Sequence, residues 1–81
     1  MPTVLRFDGL RVVIYPNDHR PAHVHVIGAD AEAVFALNAP DGPVTLRESI
    51  GFRGGALDRI AGVLNDNRVA LLAAWERIHG D

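Results

Sequence analysis

The hydrophobic period of this chain changes once, and that change limits what it can fold into. Through about residue 47 the apolar residues fall in short alternating or β-branched runs; from Ala56 onward they recur at three- and four-residue steps. Residues 1–7 (MPTVLRF) read as a strand, and Asp8-Gly9 is a favoured hairpin turn into Leu10–Tyr15. Pro16, Asn17 and Asp18 end that run, and the polar segment 17–22 is a loop, because Pro21 has no N–H for a sheet ladder. His23–Ile27 alternates as a half-buried strand does, and Ala33, Phe35 and Leu37 place one face of a further strand. Residues 39–43 (APDGP) break the pattern, and Val44-Thr45-Leu46 adds a short edge strand.

In the second part Leu57, Ile60, Ala61 and Leu64 form one helical stripe, and Leu71, Leu72, Trp75 and Ile78 form another. Asn65-Asp66-Asn67 separates them with residues suited to capping, and Gly80 is a stop signal. Strands first and helices last predict an α+β fold. It is an antiparallel sheet of three to four strands (about residues 3–47) with two C-terminal helices (about 55–65 and 68–79) packed on one face. A single domain over residues 1–81 accounts for the whole pattern.

With 81 residues the domain buries only about 60% of the surface its unfolded chain exposes. It does so without cysteines, which excludes disulfides and thiolate-ligated metal and fits a reducing cytoplasm. No apolar run approaches a membrane span of roughly 18 residues, and no secretion signal is expected at the start. Eight arginines against ten acids leave a net charge of −2. The basic excess that drives sequence-independent nucleic-acid binding is missing. Histidines concentrate in the first half, so any anion affinity there falls as pH rises through about 6.5.

Strand alternation assigns the chemistry to one face. If Val24 and Val26 lie beneath the helices, His23 and His25 project from the opposite face, which no helix is left to cover. With Val12 and Ile14 buried, Arg11 and Tyr15 join them. Two imidazoles at i and i+2 on a strand can chelate one metal ion, and His19 or Asp18 could complete three protein ligands with a position left for water. A divalent ion such as zinc would there generate hydroxide near neutral pH. A metal-free reading uses His23 and His25 as general acid and base, supported by Arg11 and Tyr15. The plainer reading has the rings solvated or stacked on neighbours, with Asp18 and His19 organising the turn. The histidine-triad nucleotide hydrolases need a third alternating histidine where this chain has Ile27, and are excluded.

Elsewhere the plain readings prevail. Gly51-Phe52-Arg53-Gly54-Gly55 is a joint into the first helix and not a P-loop, since no Gly-Lys-Ser/Thr ends it. Trp75 is core, Arg59, Arg68 and Arg77 form a solvated helix face, and His79 suits the helix dipole.

Several segments in combination resemble the domain-of-unknown-function family 4160 over almost the whole chain. They are Met1-Pro2-Thr3-Val4-Leu5-Arg6-Phe7-x-Gly9, Tyr15-x-Asn17-Asp18, Pro21-x-His23-x-His25-Val26, Leu46-Arg47-x-x-x-Gly51-Phe52, Leu57-x-x-Ile60-x-x-Val63 and Leu71-Leu72-x-x-Trp75-Glu76. The family's second proline is Ala22 here, which loosens the loop. Its serine cap is Arg53 and its following acidic residue Ala56, so helix 1 lacks a capping box and starts less firmly by about 1 kcal/mol.

The resemblance implies a component of a type II toxin–antitoxin-like pair, working with a small cognate protein from a neighbouring gene. Its histidine motif falls on His23 and His25. Together with the open face, this leads to the expectation of a partner-binding protein that acts on RNA or nucleotides through those imidazoles. Two other functions remain open: a non-catalytic protein- or nucleic-acid-binding regulator, and a histidine-ligated metal-binding domain. An exposed edge strand would suit β-augmentation by the partner or by a second copy in a homodimer.

Overall fold

Asp8 and Gly9 both adopt positive φ, 51° and 76°. That pair of conformations lets a two-residue turn match the right-handed twist of the strands it joins. It connects β1 (Thr3–Phe7) to β2 (Leu10–Val13), with Phe7 opposite Leu10 and Arg6 opposite Arg11. The structure, a computed structural model, describes residues 3–38 and 41–80. The expected strand start at residues 1–2 and part of the 39–43 breaker lie outside the described residues.

After a loop come β3 (His23–Ile27) and β4 (Glu32–Ala36), joined by a tight turn closed by the Gly28 N–H on the Ala31 carbonyl at 2.8 Å. β5 (Thr45–Ile50) and the helices α1 (Gly54–Asp66) and α2 (Arg68–His79) follow. The sheet is an antiparallel meander in the order β1-β2-β3-β4-β5.

Five strands replace the expected three to four because β5 runs on to Ile50, pairing with all of β4 from Ala36↔Thr45 to Glu32↔Ile50. Its continuation, Arg47-Glu48-Ser49, has no apolar alternation to announce it. An edge strand exposed on both faces needs none, and charges there discourage unwanted pairing. Gly51 ends the strand at φ 90°, and a Cβ there would stand 2.5 Å from the Asp30 carbonyl oxygen. Only glycine lets the chain pass so close to the β3–β4 turn.

The core is one cluster. Val12, Ile14, Val24, Val26, Ala33, Phe35 and Leu37 come from the sheet side, and Ile60, Leu64, Leu71, Ala74 and Trp75 from the helices. Periodicity assigns all of these to the interior except Ala74, while Leu57, Ala61, Leu72 and Ile78 of the same stripes are only partly buried against the cluster. No helix among the described residues is long and apolar enough to cross a membrane.

The helix ends meet expectation at the start of α1 and depart from it at the joint with α2. Arg53 leads into α1 without a side-chain cap, as the missing capping box implies. Asn67 does not cap α2 with its side chain either; its Nδ2 donates to the Val63 carbonyl at 2.8 Å and so finishes α1. Asn65 Oδ1 instead accepts the Val44 N–H at 2.9 Å, fastening the approach to β5 onto α1. Gly80 terminates α2 in the left-handed conformation, φ 72° and ψ 52°.

The arginine face of the helices is only partly free. Arg77 is exposed and Arg68 half-buried, while Arg59 reaches across to the β1–β2 turn and ion-pairs with Asp8. The Arg59 hydrogen bond holds the Asp8 carboxyl below its ordinary 3.8, and Asp8 in turn raises the guanidinium. A carboxylate lowered by folding contributes stability above its unfolded value and loses it as pH falls through the lowered one. Asp8→Asn is therefore expected to be slightly less stable than the native chain at pH 7. Urea titrations should show the difference shrinking as pH falls below 3.8 and also on adding salt.

Candidate functional site

The loop between β2 and β3 begins with a turn that carries its own lock. The Asp18 N–H donates to the Tyr15 carbonyl at 3.0 Å, and the Tyr15 N–H donates back to Asp18 Oδ2 at 3.3 Å. An aspartate whose side chain bonds a nearby backbone N–H stabilises such turns. Here the same oxygen is also brought to β3. His25 Nε2 lies 3.2 Å from Asp18 Oδ2 and His23 Nε2 lies 3.4 Å from it.

The strand places the two rings as alternation predicts: Val24 and Val26 are fully buried in the core, and His23 and His25 take the other face. That face is not open. The His23 and His25 side chains are only 12% and 16% exposed. The Tyr15 ring meets His25 edge-on at 4.7 Å, and His23 and His25 meet at 5.4 Å. Trp75 approaches His23 at 5.2 Å and stacks on His79 at 3.8 Å with the planes 20° apart. Counting helices against faces missed this cover, because it comes from the β2–β3 loop and from the end of α2.

The loop is also tied to α2 directly. His79 Nε2 lies 3.0 Å from the Asp18 carbonyl oxygen and His79 Nδ1 lies 3.1 Å from the Trp75 carbonyl oxygen. Carbonyls only accept, so a neutral ring can make one of these bonds and a doubly protonated ring both. Arg20 and Glu76 add a two-pronged pair at 3.3 and 3.4 Å at the surface. The role of His79 is thus more than complementing the helix dipole, and Trp75 is both core and ring platform.

Each imidazole is backed on its far side. His23 Nδ1 is 2.9 Å from the Pro21 carbonyl oxygen. His25 Nδ1 is buried without a hydrogen bond, and Glu32 Oε2 lies 3.5 Å away. Nothing in the spacing of Glu32 marks it as part of the group, but the short β3–β4 turn sets it opposite Ile27 and so diagonal to His25, within reach of a long side chain.

The remaining candidates separate cleanly. Tyr15 is in the cluster. Arg11 lies on the same face, opposite Ile27, but makes no hydrogen bond or ion pair with the histidines among the described residues. His19 is exposed and outside the group. Among the described residues, Asp18, His23 and His25 are the set that could hold a metal ion, with donor atoms all within 4.8 Å of one another. A shallow depression at the opposite end of β3 is lined by Ile27, Gly28, Asp30, Glu32 and Ile50 and does not include either histidine.

Fold and site together define a small α+β protein in which a loop aspartate gathers two strand histidines. The model of the family described as "Domain of unknown function (DUF4160)" matches residues 9–76, and the chain belongs to that family. The matched span contains the cluster, the Arg20–Glu76 pair and β5, while His79 lies beyond it. No curated protein and no solved structure matches the chain.

If the end of α2 holds the loop as described, His79→Ala removes a stacked ring and a bridging hydrogen bond. The expected cost is about 1–3 kcal/mol in urea unfolding. Glu76→Ala breaks only the exposed pair and is expected to cost about 0.5 kcal/mol or less.

Proposed function

We propose that this chain is the non-catalytic, partner-binding member of a two-protein pair of toxin–antitoxin type, and that it receives its cognate small protein along β5. The observation that carries the reading is the state of that strand. β5 is the outer strand of an open sheet, six residues long, with Leu46 45% and Ile50 76% exposed. Its outward backbone groups face no further strand among the described residues, so an extended segment of a partner can add to the sheet and seat apolar side chains against Leu46 and Ile50. Arg47 and Glu48 supply charges that would select register and partner.

The burial of the histidines favours this reading over RNA cleavage. A polynucleotide must reach the acid and base that cut it, and the two rings are only 12% and 16% exposed, His25 packed against Tyr15 and His23 against Trp75. Arg11, the cation expected to support phosphoryl chemistry, does not engage them.

Co-purification with the protein encoded beside it tests the proposal, using Leu46→Asp/Ile50→Asp as the variant. Both positions are exposed, so folding should be retained. Affinity should fall at least about tenfold with an unchanged melting temperature. Undiminished binding by a folded double variant would contradict the β5 surface. Growth arrest on inducing the native chain alone, abolished by His23→Ala/His25→Ala, would contradict the non-catalytic assignment.

A further inference from the structure

We propose that Asp18, His23 and His25 form a binding site for a divalent transition metal of the zinc class. The proposal rests on the donor arrangement and is independent of the partner surface on β5.

The hydrogen bonds around the two imidazoles leave a polarity that one cation resolves. The Pro21 carbonyl oxygen only accepts, so His23 donates to it from Nδ1 and, as a neutral ring, turns the lone pair of Nε2 toward Asp18 Oδ2. An ionised carboxylate oxygen is an acceptor as well, and two lone pairs face each other at 3.4 Å. His25 has a carboxylate on either side, Asp18 at Nε2 and Glu32 at Nδ1, so a neutral ring leaves one nitrogen facing an acceptor lone pair to lone pair. A dication between Asp18 Oδ2 and the two Nε2 atoms satisfies every one of these contacts. His23 Nδ1–H then donates to Pro21 and His25 Nδ1–H is directed at Glu32. A ligating histidine almost always donates its other N–H to a carbonyl or carboxylate in this way, which fixes the tautomer and strengthens the ligand.

The spacing agrees. Zinc bonds nitrogen and carboxylate oxygen at about 2.0–2.1 Å, so neighbouring ligand atoms of a tetrahedral site are about 3.3 Å apart. The two nitrogen–oxygen separations here are 3.2 and 3.4 Å. One donor atom from each of the three residues lies within 4.8 Å of the others, and small ring rotations bring such a set to tetrahedral spacing. Charge agrees as well, since the Asp18 and Glu32 carboxylates together balance a dication.

Two imidazoles and one carboxylate select zinc, cobalt, nickel or iron(II) over magnesium and calcium, which prefer all-oxygen sites. Three protein ligands leave at least one position for water, and the 12–18% exposure of the three side chains admits it. A bound ion would also join the β2–β3 loop to β3 at the point where His79 joins that loop to α2.

The test is titration of zinc chloride into tag-free, chelator-treated protein by calorimetry, with cobalt(II) absorption as an independent report on coordination. One ion per chain is expected, with a dissociation constant below about 0.1 mM. Asp18→Asn, His23→Ala and His25→Ala should each weaken binding about 100-fold, and Glu32→Gln about tenfold through the ring it orients. His19→Ala should stay within about twofold, because the exposed His19 is outside the cluster. Circular dichroism checks folding, and His23→Gln and His25→Gln stand in for any alanine variant that fails to fold. Binding weaker than about 0.1 mM would overturn the site and leave protons as the only positive charge there. Binding kept in the folded His23/His25 double variant, or lost equally in His19→Ala, would overturn its location.

Discussion

The indole of Trp75 is the contact on which the rest of this small structure depends. It is fully buried in the core cluster, yet it also meets His23 of β3 and stacks on His79 one helical turn further along α2. A domain this size has little apolar surface to spare, and a large ring serving the core and the cluster at once couples the stability of both. The β2–β3 loop is held through the same end of α2, by the bond between His79 and the Asp18 carbonyl. The position of the Asp18 carboxylate therefore depends on helix packing as well as on its own turn.

Much of the fold is legible in the residues. Alternation in His23–Ile27 separates core from cluster, and helical spacing picks out Ile60, Leu64, Leu71 and Trp75. The Asp-Gly dipeptide marks the first hairpin because its required backbone conformation is rare elsewhere. The full length of β5 is not legible for the converse reason: a strand exposed on both sides carries no hydrophobic pattern, and only its ladder with β4 defines it. Asn67 misled because a residue shared by two helices has one side chain, and the outgoing carbonyl of Val63 took it.

The candidate site was legible as a list and not as a shape. Asp18, His23 and His25 fall within eight residues of sequence, and Tyr15 stands three residues before them. Their surroundings are not, since Trp75 and His79 are fifty or more residues away along the chain and arrive only through α2 docking. Sequence spacing ranked His19 with the others, whereas the loop turns its side of the chain outward. Glu32 needed the register of the β3–β4 hairpin. The chemistry changes with these corrections: an open face suggests turnover of a large substrate, while a covered pair of rings sharing one carboxylate oxygen suggests a held ion. The docking edge on β5 is separated from β3 by β4, and Glu32, paired with Ile50 and 3.5 Å from His25 Nδ1, is the residue that lies between the two sites.

X-ray absorption at the zinc edge, on protein loaded with one equivalent of zinc, reads the proposed coordination directly. The account predicts an average of two imidazole nitrogens and one carboxylate oxygen, with the remainder water, at bond lengths of about 2.0–2.1 Å. In the His25→Ala variant the imidazole contribution should fall to one. A shell of oxygen alone, or an imidazole count unchanged by that substitution, would contradict it.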